Sequence, residues 1–210
     1  MAARLLTLHP ARGAPRVILV HGIHAPEGSS NVRRLVPFFA VAGFEVAVFE
    51  YGFVGVLGAR WRNPGIAQAL RACLRPGDHL AGHSNGCALI WLALGLPGCP
   101  PPGPVSLIAP ALDRDKCLAA PFDVYHNAGD GVVGLSRLLL RHAWGAMGRD
   151  GASCAWAHNI DAAEFEPPVS GHLGYFGEAA LPLFGPLLAG RHLAQARAAY
   201  PGPATTEQEE

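Results

Sequence analysis

Lysine is almost missing from this 210-residue chain: Lys116 is the only one among sixteen basic residues, and arginine supplies the rest. Sixteen acidic residues balance them, so the formal net charge is zero and no run of like charge stands out. A neutral chain without a basic patch offers no electrostatic footprint for nucleic acid or an anionic membrane surface. Also missing is any C-x-x-C spacing. Cys73, Cys87, Cys99, Cys117 and Cys154 are scattered, most of them in apolar or helical surroundings. They read as small buried hydrophobes rather than a disulfide frame or a zinc site. No stretch is apolar enough for long enough to span a bilayer, and Met1 to Pro15 has arginines without the apolar run and cleavage site of a secretory signal. The expectation is a cytoplasmic protein. Charged and low-complexity linkers are lacking too, so residues 1–200 read as one domain and Pro201 to Glu210 as a disordered polar tail.

What is present is apolar sequence, half of the residues, cut by 26 glycines into short runs. After a lead with Leu5, Leu6 and Leu8, read as an edge strand, Arg16 to Val20 is a continuous β-branched run suited to a parallel strand covered on both faces. It ends in His21-Gly22-Ile23-His24. Ser29, Ser30 and Asn31 then offer N-caps for a helix with Val32, Leu35, Val36 and Phe39 on one face, closed by Gly43. Glu45 to Tyr51 is the next strand. The Gly- and aromatic-rich stretch Gly52 to Arg62 reads as a loop and a candidate pocket wall, and Asn63-Pro64 as the start of a helix that Pro76-Gly77 stops. Further strands fall at Val105 to Ala109, Phe122 to Asn127 and Ala155 to Ile160. Helices are expected at Val132 to Met147 and, interrupted by Pro182 and Pro186, at Leu181 to Ala199. Alternation of strand and helix predicts an α/β fold: a mostly parallel, doubly wound sheet with helices on both faces, binding ligands beyond the carboxyl ends of its strands.

The stretch at the centre of this pattern is Gly82-His83-Ser84-Asn85-Gly86, a G-x-S-x-G sequence between the apolar pair Leu80-Ala81 and the helical run from Cys87 to Ala93. In a chain this rich in glycine about 0.1 chance matches are expected, so the motif gains its weight from the strand, turn and helix around it. A serine on such a turn stands above the sheet, with nearly side-chain-free neighbours two positions away on either side. The backbone N–H of Asn85, at the helix start, is aimed where an oxyanion would form. His83 and Asn85 themselves are expected to pack or bond locally. The plain alternative is a Gly-rich turn with an ordinary serine.

A serine hydroxyl needs a base, and the base an acid that fixes its tautomer. Asp130, glycine-flanked after a strand, is the first choice for the acid; it would equally suit a helix N-cap, and Asp113 is its rival. His172, in a Gly-flanked loop before the last helix, is the first choice for the base, with His158 second. His21 and His24 lack clustered carboxylates, so no metal is expected.

With Ser84, Asp130 and His172 in that order, the sequence resembles the α/β-hydrolase family over nearly its whole length. The resemblance rests on Gly82-His83-Ser84-Asn85-Gly86, on His21-Gly22-Ile23 as the oxyanion loop, on Gly129-Asp130-Gly131-Val132-Val133 and on Gly171-His172. It implies an eight-stranded sheet and serine hydrolase chemistry, with the backbone N–H groups of Ile23 and Asn85 as the oxyanion hole and no cofactor. Two departures stand out. There is too little chain for complete N-terminal antiparallel strands, and the connection between the strands near Val105 and Phe122 is too short for a cap domain. The implied form is minimal and capless, similar to small lipases and cutinase-like esterases, acting on a small-molecule ester. A thioesterase or acyltransferase shares every residue named, and a non-catalytic ligand-binding protein on the same fold is the alternative from another class.

Overall fold

Side chains in the strands serve the two faces of the sheet in turn, and that alternation builds two cores. The computed structural model describes residues 3–23, 28, 30–132 and 145–199. Strand β1 (Arg4–His9) runs antiparallel to β3 (Glu45–Glu50), with a register slip between Thr7 and His9. All other pairings are parallel: β3 with β2 (Arg16–Val20), β2 with β4 (His79–His83), then β5 (Val105–Ile108), β6 (Phe122–His126) and β7 (Ala157–Asp161). The sheet order is β1-β3-β2-β4-β5-β6-β7. Ile18 and Val20 of β2 enter one core, under helices α2 (Val56–Cys73) and α3 (Asn85–Leu94), with Ile66, Leu70, Leu89 and Ile90. Val17 and Leu19 enter the other, with Phe39 of α1 (Val36–Val41) and Phe184 and Leu188 of α5 (Leu181–Ala199). A short helix, α4 (Met147–Asp150), precedes β7.

From β2 the chain crosses to β3 on one side, then returns to place β4 on the other side of β2. The connections therefore diverge between the carboxyl ends of β2 and β4, where ligands bind in open parallel sheets. The loop beginning at His21 leaves one of those ends and Ser84 leaves the other.

Several expectations change here. The sheet has seven strands among the described residues, not the eight implied by the resemblance; β1 alone supplies the antiparallel edge. Most of the supposed loop at Gly52 to Arg62 is the start of α2, which runs through Pro64 without stopping. Val54 and Ala59, buried in the α2 core, hold these first turns despite the missing proline donor. Pro186 is likewise inside α5. The helix expected from Val132 to Met147 lies largely outside the described residues, as do His24, Ser29 and the tail; Met147 is fully buried in the core. Cys117 and Cys154 are a disulfide, Cα atoms 6.0 Å apart across 37 residues, against the reading of all five as buried thiols. Pairing of β7 with β6 brings Cys154 beside the β5–β6 connection, a proximity that spacing in the sequence could not reveal. Among the described residues no helix is long and apolar enough to cross a membrane.

Two buried histidines are expected to make the fold sensitive to acid. His79, at the start of β4, and His192 of α5 face each other with their Nδ1 atoms 3.2 Å apart, and His192 Nε2 lies 3.0 Å from Ser106 Oγ. Burial lowers His79 to about 4, against the opposing charge of Asp78. Burial, then the neighbouring His79 and Arg191, lowers His192 to about 3. Both are depressed below the ordinary value of 6.5, so the unfolded chain takes up their protons first. Their contribution is complete above pH 6.5 and drains away as pH falls toward 4, by up to about 1.4 kcal/mol per pH unit for each. Urea midpoints should hold steady from pH 8 to 7 and drop through pH 6 and 5. A His192→Asn variant should show a shallower drop, and equal slopes in the two proteins would refute this account.

Candidate active site

Ser84 occupies a backbone conformation that an L-residue seldom adopts, φ 56° and ψ −121°, directly between β4 and α3. Strain of this kind costs about 1–3 kcal/mol and persists only where the surroundings impose it. Here they do. A Cβ at Gly86 would collide with the Val20 carbonyl, and one at Gly82 would lie 2.7 Å from Ile90 Cδ1. The two glycines let the turn press against β2, and Ser84 N–H donates to Ile108 O at 3.0 Å. Ala109, the residue after β5, is the second non-glycine at positive φ, 45°. Two residues further on, Ala111 donates its N–H to Ser84 O at 3.2 Å, so the segment after β5 holds the strained turn.

The Asp130 carboxylate is fully buried, and its Oδ2 accepts from His172 Nδ1 at 2.8 Å. That bond leaves Nε2 as the ring's other functional edge. Asn127, a residue the sequence placed only in a strand, joins the two loops: Gly171 N–H donates to its Oδ1 at 3.1 Å, and its Nδ2 donates to Gly171 O and to Tyr175 Oη, each at 3.3 Å. Asp130 N–H in turn donates to Asn127 O. Among the described residues the Ser84 hydroxyl makes no hydrogen bond, so His172 is paired with Asp130 and not with Ser84. Catalytic contacts commonly tighten only around substrate.

The rival residues stand elsewhere. Asp113 is exposed on the β5–β6 connection. His158 bonds Asp123, with Arg191 clamped on the same carboxylate; both strand residues lie toward the amino ends of β7 and β6, away from Ser84.

His83 and Asn85 were expected to bond locally, and both instead reach across the fold. His83 Nε2 donates to His172 O at 3.1 Å, and the two rings lie 4.9 Å apart, which ties the Ser84 elbow to the His172 loop. Burial, then the proximity of His172, pushes His83 down to about 3, so it is a neutral donor. Asn85 exchanges hydrogen bonds with Asn63 of α2, 2.8 and 3.1 Å, and donates to Tyr51 Oη at 3.4 Å.

Tyr51, just past β3, fixes the first loop. Its hydroxyl sits 2.9 Å from His21 O and 2.8 Å from Gly22 O, and His21 Nδ1 lies 2.6 Å from the same Gly22 O. The His21 and Tyr51 rings stack at 4.1 Å. Tyr51 N–H approaches His21 Nε2 at 3.4 Å, so one neutral tautomer, protonated at Nδ1, satisfies both ring nitrogens; burial lowers the His21 pKa accordingly. With the Gly22 carbonyl held toward Tyr51, the N–H of Ile23 across that trans peptide points the opposite way. The loop is close to Ser84: a Cβ on Gly22 would lie 3.0 Å from Ser84 Cβ. The sequence marks Tyr51 only as a strand end and Asn63 only as a helix start, and neither signal points to these contacts. Tyr51→Phe is expected to lower kcat about 10- to 100-fold with KM nearly unchanged, because it loosens donors rather than removing substrate contacts. Steady-state kinetics on a soluble ester would show a rise in KM alone if Tyr51 served only to bind.

A parallel sheet with this strand order, an antiparallel edge, and a strained serine elbow after the central strand constitutes the α/β-hydrolase fold. Solved structures similar to the chain include alpha/beta hydrolase domain-containing protein 10 from mouse, 13% identical with a TM-score of 0.61 over 90% of this chain and 92% of that one. A monoacylglycerol lipase from Paleococcus ferrophilus is 14% identical with a TM-score of 0.59, over 93% and 100%. Est1E from Butyrivibrio proteoclasticus, solved with ferulic acid bound, is 13% identical with a TM-score of 0.57, over 92% and 95%. Neither a protein-family model nor a curated protein matches the sequence.

Proposed function

We propose that the protein is a serine hydrolase that cleaves small carboxylic esters through an acyl-enzyme on Ser84. The observation carrying this reading is the strained Ser84 turn at the carboxyl end of β4, with the Asp130–His172 pair on loops tied to that same elbow through His83. In this mechanism His172 Nε2 takes the Ser84 proton as Oγ attacks the ester carbonyl, and Asp130 holds the ring and stabilises its positive charge. The N–H groups of Ile23 and Asn85 receive the oxyanion. His172 then protonates the departing alcohol, and a water activated by the same ring releases the acid. The monoacylglycerol lipase that shares this fold favours the ester over other acyl compounds.

The test is a panel of p-nitrophenyl esters of increasing chain length with an acyl thioester alongside. Turnover of the short and medium esters, well above that of the thioester, is expected; preference for the thioester would move the assignment to thioesterase. Residues 109–121 join β5 to β6 through turns and bends, without helix or strand, and make no cap there. Accordingly, the rate on tributyrin should pass smoothly through its solubility limit. A sharp rise at the emulsion point would indicate a cover that must be displaced.

A further inference from the structure

His172 is not bonded to Ser84, so other contacts among the described residues fix it. Its loop requires them, because Gly171, at φ 77°, leaves the backbone just before the ring few steric limits. Asp130 holds the ring at Nδ1, Asn127 holds the backbone at Gly171, and His83 holds the carbonyl of His172 itself. His83 is the residue immediately before Ser84. Side chains alternate along β4, Leu80 entering the α2 core and Ala81 the α5 core, so His83 points with Ala81 toward Phe176. Those two rings meet edge to face at 4.9 Å. The two nitrogens of His83 face different loops. Nε2 lies 3.1 Å from His172 O, while Nδ1 is so near Gly22 that a Cβ there would lie 3.3 Å from it. A carbonyl only accepts, so the neutral ring carries its hydrogen on Nε2. Burial, with His172 alongside, keeps that ring uncharged.

We infer that His83 is a positioning residue: set between the Gly22 loop and the His172 loop, it fixes the His172 ring relative to Ser84 through the bond from its Nε2 to the His172 carbonyl. The inference rests on the reading of His172 as the base for Ser84, and extends it to a residue that bonds neither Ser84 nor Asp130. Reach matters here as much as polarity. His83 and Ser84 are consecutive residues at one strained turn, so the bond from His83 transmits the place of that turn to the base with no flexible segment between. An apolar side chain of similar size would fill the space against Phe176 and remove this donor from His172 O. A loop free to shift by even a fraction of an ångström would present Nε2 of His172 to the Ser84 hydroxyl less often, which slows the chemical step without touching substrate contacts.

Glutamine and asparagine separate the two edges of the ring, because a Gln amide reaches about as far as Nε2 and the shorter Asn amide only as far as Nδ1. Both bury an amide and share that cost. On p-nitrophenyl butyrate, His83→Leu and His83→Asn should lower kcat about tenfold with KM nearly unchanged, while His83→Gln stays within about threefold of the parent protein. Leu keeps an apolar contact with Phe176 and preserves the comparison if the amides fold poorly. A second readout needs no turnover. The Nδ1 proton of His172, assigned by its loss in His172→Gln, should be visible in 1H NMR spectra of the parent and His83→Gln, and lost to exchange with water in His83→Leu and His83→Asn. Parent rates in His83→Leu, or equal losses in His83→Gln and His83→Asn, would overturn the inference and leave Ser84 and His172 in their roles. Ester hydrolysis as fast in Ser84→Ala as in the parent would instead sink the ester reading. The Nδ1 proton then decides on His83 by itself, and its persistence in His83→Leu would overturn the positioning role.

Discussion

Ser84→Ala is expected to leave the protein folded and to lower ester hydrolysis by about 10³- to 10⁶-fold, the range that separates a complete serine relay from what an oxyanion hole and binding accomplish alone. Folding should survive because the hydroxyl makes no hydrogen bond among the described residues and the Cβ remains where Gly22 accommodates it. Alanine also keeps the backbone strain at φ 56°. Ser84→Gly would relieve it and should come out equally inactive but more stable than the alanine variant, by about 1 kcal/mol. That ordering, inactivity with a gain in stability, is what a residue held in place for chemistry would show. A fluorophosphonate probe followed by peptide mass spectrometry should label Ser84 in the parent protein and nothing in either variant. Persisting label in Ser84→Ala would take this serine out of the mechanism.

Much of this arrangement could be read before any coordinates. The β-branched run of β2, the alternation of strand and helix, and the glycines around Ser84 are local signals, and each corresponds to an element or turn of the structure. Where local signals misled, a long-range contact had prevailed. Asn63-Pro64 looks like a helix start, yet α2 begins at Val56 because Val54 and Ala59 are buried, and Asn63 spends its side chain on Asn85. Tyr51 looks like the last residue of a strand and is the support of the His21 loop. Asn127 lies 44 residues from Gly171, and His83 lies 89 from His172, separations over which sequence pattern carries no information. The residues proposed to take part, Ser84, Asp130 and His172, could be picked out because the proposed chemistry restricts residue type; Tyr51, Asn63 and Asn127 around them could not, since any donor of the right length could make their contacts.

Asp130→Asn should lower kcat/KM by about 10⁴-fold, with Asp113→Asn within about twofold of the parent protein. The expected size follows from one proton. His172 must carry hydrogen on Nδ1 so that Nε2 is free to accept from the Ser84 hydroxyl, and the buried Asp130 carboxylate enforces this by accepting at 2.8 Å. An amide in its place can present an N–H to Nδ1, which favours hydrogen on Nε2 and removes the base without moving the ring. It also withdraws the charge that would stabilise the imidazolium in a site where water cannot substitute. The shape of the two side chains is nearly the same, so Asn127 should still bridge to Gly171, and the thermal midpoint should change far less than activity. Asp113 is exposed and can lose its charge to solvent at little cost. The decisive comparison is kcat/KM for both variants beside their melting curves. Inactivation by Asp113→Asn with Asp130→Asn unaffected would transfer the acid to the end of β5, and inactivation of Asp130→Asn by unfolding alone would reduce that residue to a structural brace.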